Sequence, residues 1–459
     1  MEIIIGDCLT ITTWDPLSYW SIKQSNTFDN PAYAEAKRYE RSTRFINRHL
    51  TTYREESGAL IVPRGFLEMA SRIEPGTQTN FIDQRSTRPV HIPALKDISL
   101  REYQAEALDQ ASTQDQGLIV APTGSGKTII GLSMIQRRQQ RALILVHSRE
   151  LAQQWRAEVH KLTGLQPGQI GGGQWQEGEH ITIAMIQTLS RNPERTRQAA
   201  AGYGLVLVDE CHHVPANTFM KVIDMMPAKY RYGLTATPDR RDGLGMLIER
   251  AIGEPLARIE SDHVQQAGGI TGADVLTINT YCGFGQLESW NDYLAQISNS
   301  DYRNKVIATL SRYHSAKAPT LILTDRIEHA EKLREACNWQ AVLVHGGLSK
   351  RQRQDAMKAA RHSPLTIGTI NLLGEGLDIS CWTNLALASP ISSRTRLLQA
   401  IGRVIRKHPG KDKGRVIDFV DDHPFSLSSF RKRAKVYEEK GYPVESMDFY
   451  EYLEMEGAP

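Results

Sequence analysis

Ten short apolar runs, spaced by longer amphipathic stretches, restrict this chain to a narrow set of folds. Five occupy residues 118–120, 142–147, 181–185, 205–208 and 232–235; five more occupy 320–323, 341–344, 365–369, 385–388 and 415–419. A strand that is apolar along its whole length must be covered on both faces. Alternation with helix-length segments therefore predicts parallel sheets sandwiched between helices. Two such groups in series predict two tandem α/β lobes. The Gly-rich, weakly periodic stretch 253–280, with Gly268, Gly269 and Gly272, reads as a hinge between them. Residues 1–95 have a different texture, rich in Thr, Arg and aromatics, and read as a small α+β domain followed by a linker over 89–100. The expected domains are 1–95, 96–262, 263–435 and a C-terminal tail at 436–459.

At 459 residues the chain is long enough for two or three cores. A net charge of +3 gives no global field, so any polyanion site must come from local patches. The five cysteines (Cys8, Cys211, Cys282, Cys337, Cys381) stand far apart with no C-x-x-C pair, which argues against a disulfide framework or a zinc ribbon. The sequence MEIIIGDCLT lacks the pattern of a signal peptide, and no run of 18 apolar residues occurs. The expectation is a soluble protein of the cell interior.

Ala121-Pro-Thr-Gly-Ser-Gly-Lys-Thr128 follows the first apolar run and precedes a helical segment. Strand, glycine-rich loop and helix are the context in which backbone N–H groups converge on phosphate oxygens. Thr123, Gly124, Ser125 and Gly126 would form the cradle, Lys127 would reach the β- and γ-phosphates, and the Thr128 hydroxyl would ligate Mg²⁺. Ala121 stands where the general pattern has Gly. A second carboxylate-bearing strand end is needed, and Leu205-Val-Leu-Val-Asp209-Glu210 supplies it. Asp209 would hold Mg²⁺ and Glu210 would orient or deprotonate the attacking water. Cys211, His212 and His213 come next, but no second ligand pair stands at useful spacing for zinc.

Asp209-Glu-Cys-His212 is a DExH box. With the other motifs it resembles the superfamily 2 helicases, in particular the XPB-like and phage UvsW-like branch, over about residues 100–422. The resemblance implies two RecA-like lobes with ATP and Mg²⁺ bound in the cleft between them. Leu100-Arg-Glu-Tyr-Gln104 looks like the adenine-reading segment, carried by Arg101 and Gln104. His147-Ser-Arg-Glu-Leu-Ala152 looks like a motif that touches the nucleic-acid backbone. Thr235-Ala-Thr237, with His212, looks like the element coupling hydrolysis to lobe movement. Gly374-Glu-Gly-Leu-Asp378 (Gly376 and Asp378 as nucleotide contacts) and Gln399-Ala-Ile-Gly-Arg403-Val-Ile-Arg406 look like the two second-lobe motifs facing ATP. Arg403 and Arg406, three apart, are expected on one helix face, where they could neutralise charge developing on the γ-phosphate. Gln399 would join that hydrogen-bond network. After Thr-Ala-Thr-Pro238, the branch pattern Arg-Glu-Asp is here Arg240-Arg241-Asp242, lacking the central acid.

Strand-end polar residues are the expected grip on nucleic acid: Arg149, Gln187 and Thr188 in the first lobe, Thr324, Arg326 and Thr369 in the second. Lys37, Arg38, Arg41, Arg44, Arg48 and Arg54, interleaved with Tyr33, Phe45 and Tyr53, suit duplex or branched nucleic acid or, equally, a solvated helix over a small core. Resemblance of residues 30–65 to the N-terminal module of the same branch points to DNA. The leading expectation is a monomeric ATP-dependent helicase on branched DNA. A duplex translocase of a restriction-type system, an RNA helicase and a scaffold with a dead ATP site are the rivals. The first would need a nuclease, for which Glu438-Glu-Lys440 downstream of Asp421-Asp422 is the sole internal candidate. The scaffold is disfavoured because Lys127, Asp209, Glu210 and Arg406 are all present.

Overall fold

The computed structural model describes all residues except 39, 74–78, 211–215, 237–244, 371–378 and 457–459. It divides into two compact units, Met1–His263 and Val264–Pro459.

The first unit opens with a five-stranded sheet. Strands β1 (Glu2–Ile5), β2 (Cys8–Thr12), β5 (Arg54–Glu56), β6 (Ala59–Pro63) and β7 (Asn80–Asp83) run in the order β5-β6-β2-β1-β7. A separate two-stranded ribbon pairs β3 (Thr27–Asp29) with β4 (His49–Thr51). Alternation places Ile3, Ile5, Leu9, Ile11, Leu60 and Val62 on one face, where Ile22 and Phe66 complete a small core. Buried arginines rivet this module to the larger sheet of the same unit. Arg64 donates to Gln116 Oε1 (2.7 Å) and to the Gly6 carbonyl (3.1 Å). Arg231 donates to the carbonyls of Asp7 (3.0 Å), Met226 (2.7 Å) and Ala251 (2.7 Å). The expected linker is not loose either. Val90 donates its N–H to the Gln139 carbonyl and Lys96 to Leu162, and just ahead of the linker Ser86 donates to Pro227.

The remainder of this unit is an eight-stranded sheet. Its strands are β8 (Gln116–Val120), β9 (Ala142–Val146), β10 (Gly168–Gly171), β11 (Gln174–Gln176), β12 (Ile181–Met185), β13 (Leu205–Asp209), β14 (Tyr230–Thr235) and β15 (Pro255–Arg258), in the order β11-β10-β12-β9-β13-β14-β8-β15. Only the β10–β11 pair is antiparallel. The helix Lys127–Arg138 lies tight against the sheet because Gly131 presents no side chain there. A Cβ at that position would stand 2.8 Å from Leu207 Cδ2 and 3.0 Å from Leu234 Cδ1.

The second unit is an all-parallel sheet of β16 (Gly272–Asn279), β17 (Thr320–Thr324), β18 (Val342–Val344), β19 (Leu365–Thr369), β20 (Asn384–Leu387), β21 (Lys413–Val420) and β22 (Val444–Asp448), ordered β18-β19-β17-β20-β21-β16-β22. All ten apolar runs are strands, and both large sheets are the mixed α/β architecture expected of RecA-like lobes. Two expectations are corrected. The Gly-rich stretch 253–280 is not a simple hinge, since it contains β15 and the whole of β16, which lies inside the second sheet. The described part of the expected tail 436–459 is not a tail, because β22 pairs with β16 and the helix Phe449–Glu456 buries Phe449 and Tyr452 in the core. Asp421 is equally structural. It accepts from buried Arg303 Nε (2.7 Å) and Thr280 Oγ1 (2.6 Å), and the Tyr293 hydroxyl donates to its second oxygen.

Candidate active site

In the first unit, the C-terminal ends of neighbouring parallel strands bring the predicted residues to one sheet edge, where open α/β sheets bind ligands. The loop after β8 carries Thr123–Gly126 and runs into the helix that begins with Lys127 and Thr128, β13 ends on Asp209, β14 ends on Thr235, and β9 and β12 lead to Arg149 and Gln187. The loop is fastened at its root, since Ala121 N–H donates to the Thr235 carbonyl at 2.8 Å. Thr235 itself is fully buried. Gly124 and Gly126 adopt φ of +86° and +81°, which L side chains avoid. A Cβ on Gly126 would also meet Gln104 Nε2 at 2.5 Å.

Gln104, expected to read the base, is 3% exposed. Its Nε2 donates to the Ser125 carbonyl at 2.8 Å, and its Oε1 accepts from Arg101 N–H at 3.0 Å. Tyr103 joins them without any sequence signal of its own. Its hydroxyl donates to the same Ser125 carbonyl (3.2 Å) and accepts from Arg101 Nη1 (3.0 Å). The segment 101–104 therefore braces the loop from behind, and Arg101 remains exposed.

Lys127 Nζ donates to the Ala121 carbonyl (3.2 Å) and pairs with Glu210 Oε1 at 3.3 Å. Asp209 is 4% exposed. Its Oδ2 accepts from Trp155 Nε1 at 2.7 Å, while its buried Oδ1 has no hydrogen-bond partner among the described residues. Burial first, and the Glu210 charge second, push its pKa up to about 6 against the pull of the Trp155 hydrogen bond. Trp155 carries no sequence signal beyond a helical apolar position. Glu210 sits at φ +49°, a left-handed conformation that a non-glycine residue holds only under constraint from its surroundings. The observations fit magnesium and a polyphosphate. An orphaned buried carboxylate oxygen is a position for a cation's water shell, and an ammonium over a glycine-rich helix N-terminus is a position for phosphate. Thr128, in the first turn of that helix, and Asp209 would hold the metal. Its charge would offset that of the phosphates.

The other strand-end residues of this unit share the edge. Arg149 is exposed at the start of the helix Arg149–Thr163, which Ser148 caps by accepting from Leu151 N–H at 3.2 Å. Gln187 Nε2 donates to the His147 carbonyl (2.9 Å), tying β12 to β9, and Thr188 is half-buried beside it.

In the second unit, Thr324 and Thr369 are register partners at the ends of β17 and β19, with Thr369 6% exposed. Thr324 is wholly buried and its hydroxyl is already engaged, 2.7 Å from His329 Nδ1 and 2.9 Å from Ser389 Oγ. Its side chain thus orders the strand end and is not presented for contact. Arg326 donates to the Asn291 carbonyl at 3.1 Å. Gln399 (9% exposed) and Arg403 (4%) lie on the helix Arg394–Val404. Arg406 does not share a helix face with Arg403. The helix ends at Val404, and the chain turns out to meet 270–271, where Thr271 N–H donates to the Ile405 carbonyl (2.7 Å) and Arg406 bridges Ile270. His212, Thr237, Gly376 and Asp378 lie outside the described residues.

The His329 cluster yields a pH prediction. Asn304 Nδ2 donates to the Ser298 carbonyl, which leaves its Oδ1 facing His329 Nε2 at 3.0 Å. Nε2 therefore carries the proton and Nδ1 accepts from Thr324. Burial, reinforced by the nearby Arg303 charge, pushes the imidazole pKa from 6.5 down to about 3. The unfolded chain takes up this proton below about 6.5 and the folded chain does not until about 3. Stability from this group is therefore complete above the first value and declines as the pH falls through the window. Hydrogen-exchange protection of β17, corrected for intrinsic rates, should fall on acidification more steeply in the wild type than in His329→Gln. Equal slopes in the two proteins would contradict the assignment.

A glycine-rich phosphate loop with its lysine, facing an acidic pair on a neighbouring strand end of a parallel sheet, defines the class of P-loop nucleoside triphosphatases. Residues 97–240 match the family model described as type III restriction enzyme, res subunit, and residues 302–408 match the helicase conserved C-terminal domain. A probable helicase of Escherichia phage T5, D10, is 26% identical over 378 residues, covering 81% of this chain and 82% of that protein. The DNA 3'-5' helicase XPB of Kineococcus radiotolerans is 27% identical over 365 residues, covering 76% of this chain and 65% of its own length. A fragment structure of a putative HsdR subunit of a type I restriction enzyme from Vibrio vulnificus superposes with a TM-score of 0.58 at 19% identity, covering 76% of this chain and 69% of that one, which speaks to fold. The two matched domains together make this chain a superfamily 2 helicase by its core, similar to XPB and phage helicases, and an ATP-dependent enzyme of the helicase class. Among the described residues no helix is long and apolar enough to cross a membrane.

Proposed function

We propose that the protein is a DNA helicase that couples ATP hydrolysis to translocation, and to unwinding or branch migration of forks and junctions, in recombination, replication or repair. The observation that carries this reading is the sharing of one sheet edge by the Lys127–Glu210–Asp209 cluster and the strand-end residues Arg149, Gln187 and Thr188. Nucleotide state and grip on a phosphate backbone can then be linked through the same strand ends. Gln399, Arg403 and Arg406 act on the γ-phosphate, with Gly376 and Asp378 as further nucleotide contacts. His212, Thr235 and Thr237 couple hydrolysis to movement. Arg326 and Thr369 contact backbone phosphates. The name of the Kineococcus relative, a DNA 3'-5' helicase, supports DNA as the track and 3′-to-5′ as the polarity. We take the acting species to be a monomer.

A duplex translocase of a restriction-type system is the second reading, favoured by the family match over 97–240. ATPase and strand-separation assays on single-stranded DNA, forks, four-way junctions and RNA separate the two. The expected result is stimulation by DNA with separation of forks or junctions. Stimulation by RNA alone would defeat the proposal, and stimulation by duplex without separation would favour the translocase.

A further inference from the structure

The basic and aromatic residues of the N-terminal module do not form one surface. Tyr53 packs against the small core, with Lys23 Nζ 5.3 Å from its ring centre, and Arg54 pairs with Glu56 at 2.8 Å. What projects instead is the turn between the helix Pro31–Arg38 and β4. The Ile46 N–H donates to the Thr43 carbonyl (3.0 Å), closing a turn whose two central residues are Arg44 and Phe45. Phe45 is 92% exposed, and the Arg44 guanidinium lies over its ring at 5.6 Å. The stem is built as well. The Asn30 N–H and Nδ2 donate to the carbonyls of Arg48 (2.9 Å) and Asn47 (2.7 Å), and β3 pairs with β4 in register.

Two further features separate this phenylalanine from an ordinary exposed apolar residue. Residues 37–48 hold five basic side chains (Lys37, Arg38, Arg41, Arg44, Arg48) and one acid (Glu40), so the ring stands in a local positive field. The stem is also mounted on the motor. Arg250, on the helix Gly245–Ile252, lies over Phe28 of β3 (5.7 Å) and Phe66 (5.2 Å) and donates to the Ser25 carbonyl (3.3 Å). That helix begins ten residues after Thr235, at the end of β14. An aromatic face offered at a turn tip among cations matches a stacked base flanked by phosphates.

We propose that the turn 43–46 is a stacking wedge for branched DNA. Phe45 lies on the base pair at which the strands part, and Arg44 and Arg48 hold the flanking phosphates. The proposal rests on the reading of the chain as a DNA motor. The test uses the full chain and a tailed fork carrying 2-aminopurine at the first base pair of the branch. Phe45→Ala should slow fork unwinding about tenfold and abolish the change in 2-aminopurine fluorescence on binding. Its ATP turnover on single-stranded DNA should stay within about twofold of the wild type, and Phe45→Trp should restore both fork signals. Wild-type unwinding by Phe45→Ala, or an equal loss of single-strand-stimulated turnover, would overturn the wedge while leaving the DNA motor intact. Absence of any DNA stimulation in the wild type would overturn the DNA reading, and the wedge with it.

Discussion

Replacing Glu210 by Gln is expected to leave ATP bound and nearly abolish its hydrolysis. The carboxylate stands next to Asp209 at the end of β13, and the proposed reading makes it the base that takes a proton from the attacking water. Removing a general base costs on the order of 10²–10⁴ in rate. Binding should survive for a local reason: Glu210 pairs with Lys127 at 3.3 Å, and the amide releases that ammonium to the phosphates. Single-turnover hydrolysis, with equilibrium binding of a fluorescent ATP analogue, measures both. Turnover near the wild-type rate would remove Glu210 from the proposed role.

Arg406→Ala should lower turnover by about 10³ with ATP affinity changed only a few-fold, because in the proposed role its charge matters most as the γ-phosphate oxygens develop negative charge. Its bridge to Ile270 is made by the backbone and survives truncation, and the urea midpoint of unfolding, measured alongside, separates a loss of chemistry from a loss of stability. A loss confined to ATP affinity would show that Arg406 binds nucleotide without serving the chemical step. Arg403 is the poorer test, since at 4% exposure its removal also opens packing.

The ten central strands are legible in the sequence because each is buried on both faces and so leaves a fully apolar run. The strands that escape such a reading lack that signal. β22 is a polar edge strand of sequence VESMD, β15 starts with a proline at the other sheet's edge, and β10 and β16 begin with glycine. The candidate site is legible because its glycine-rich loop and acidic pair are contiguous sequences whose spacing is their chemistry. Long-range contacts are not. Trp155 reaches Asp209 across 54 residues and Tyr103 reaches Ser125 across 22. Neither has a local pattern to distinguish it from a core aromatic.

By itself, the sequence determined the two parallel-sheet lobes and picked out the glycine-rich loop and the acidic pair that the fold gathers at one sheet edge, because periodicity and contiguous motifs are local properties. Tertiary structure alone decided which polar residues are available. It consumes the Thr324 hydroxyl in the His329 network and carries Arg406 off its helix to meet Ile270. It also sorts the N-terminal cluster, folding Tyr53 and Arg54 into contacts and leaving Phe45 at a turn tip. The physical reason is the same in each case. Availability depends on what the rest of the chain packs against a side chain, and those partners lie far away in sequence.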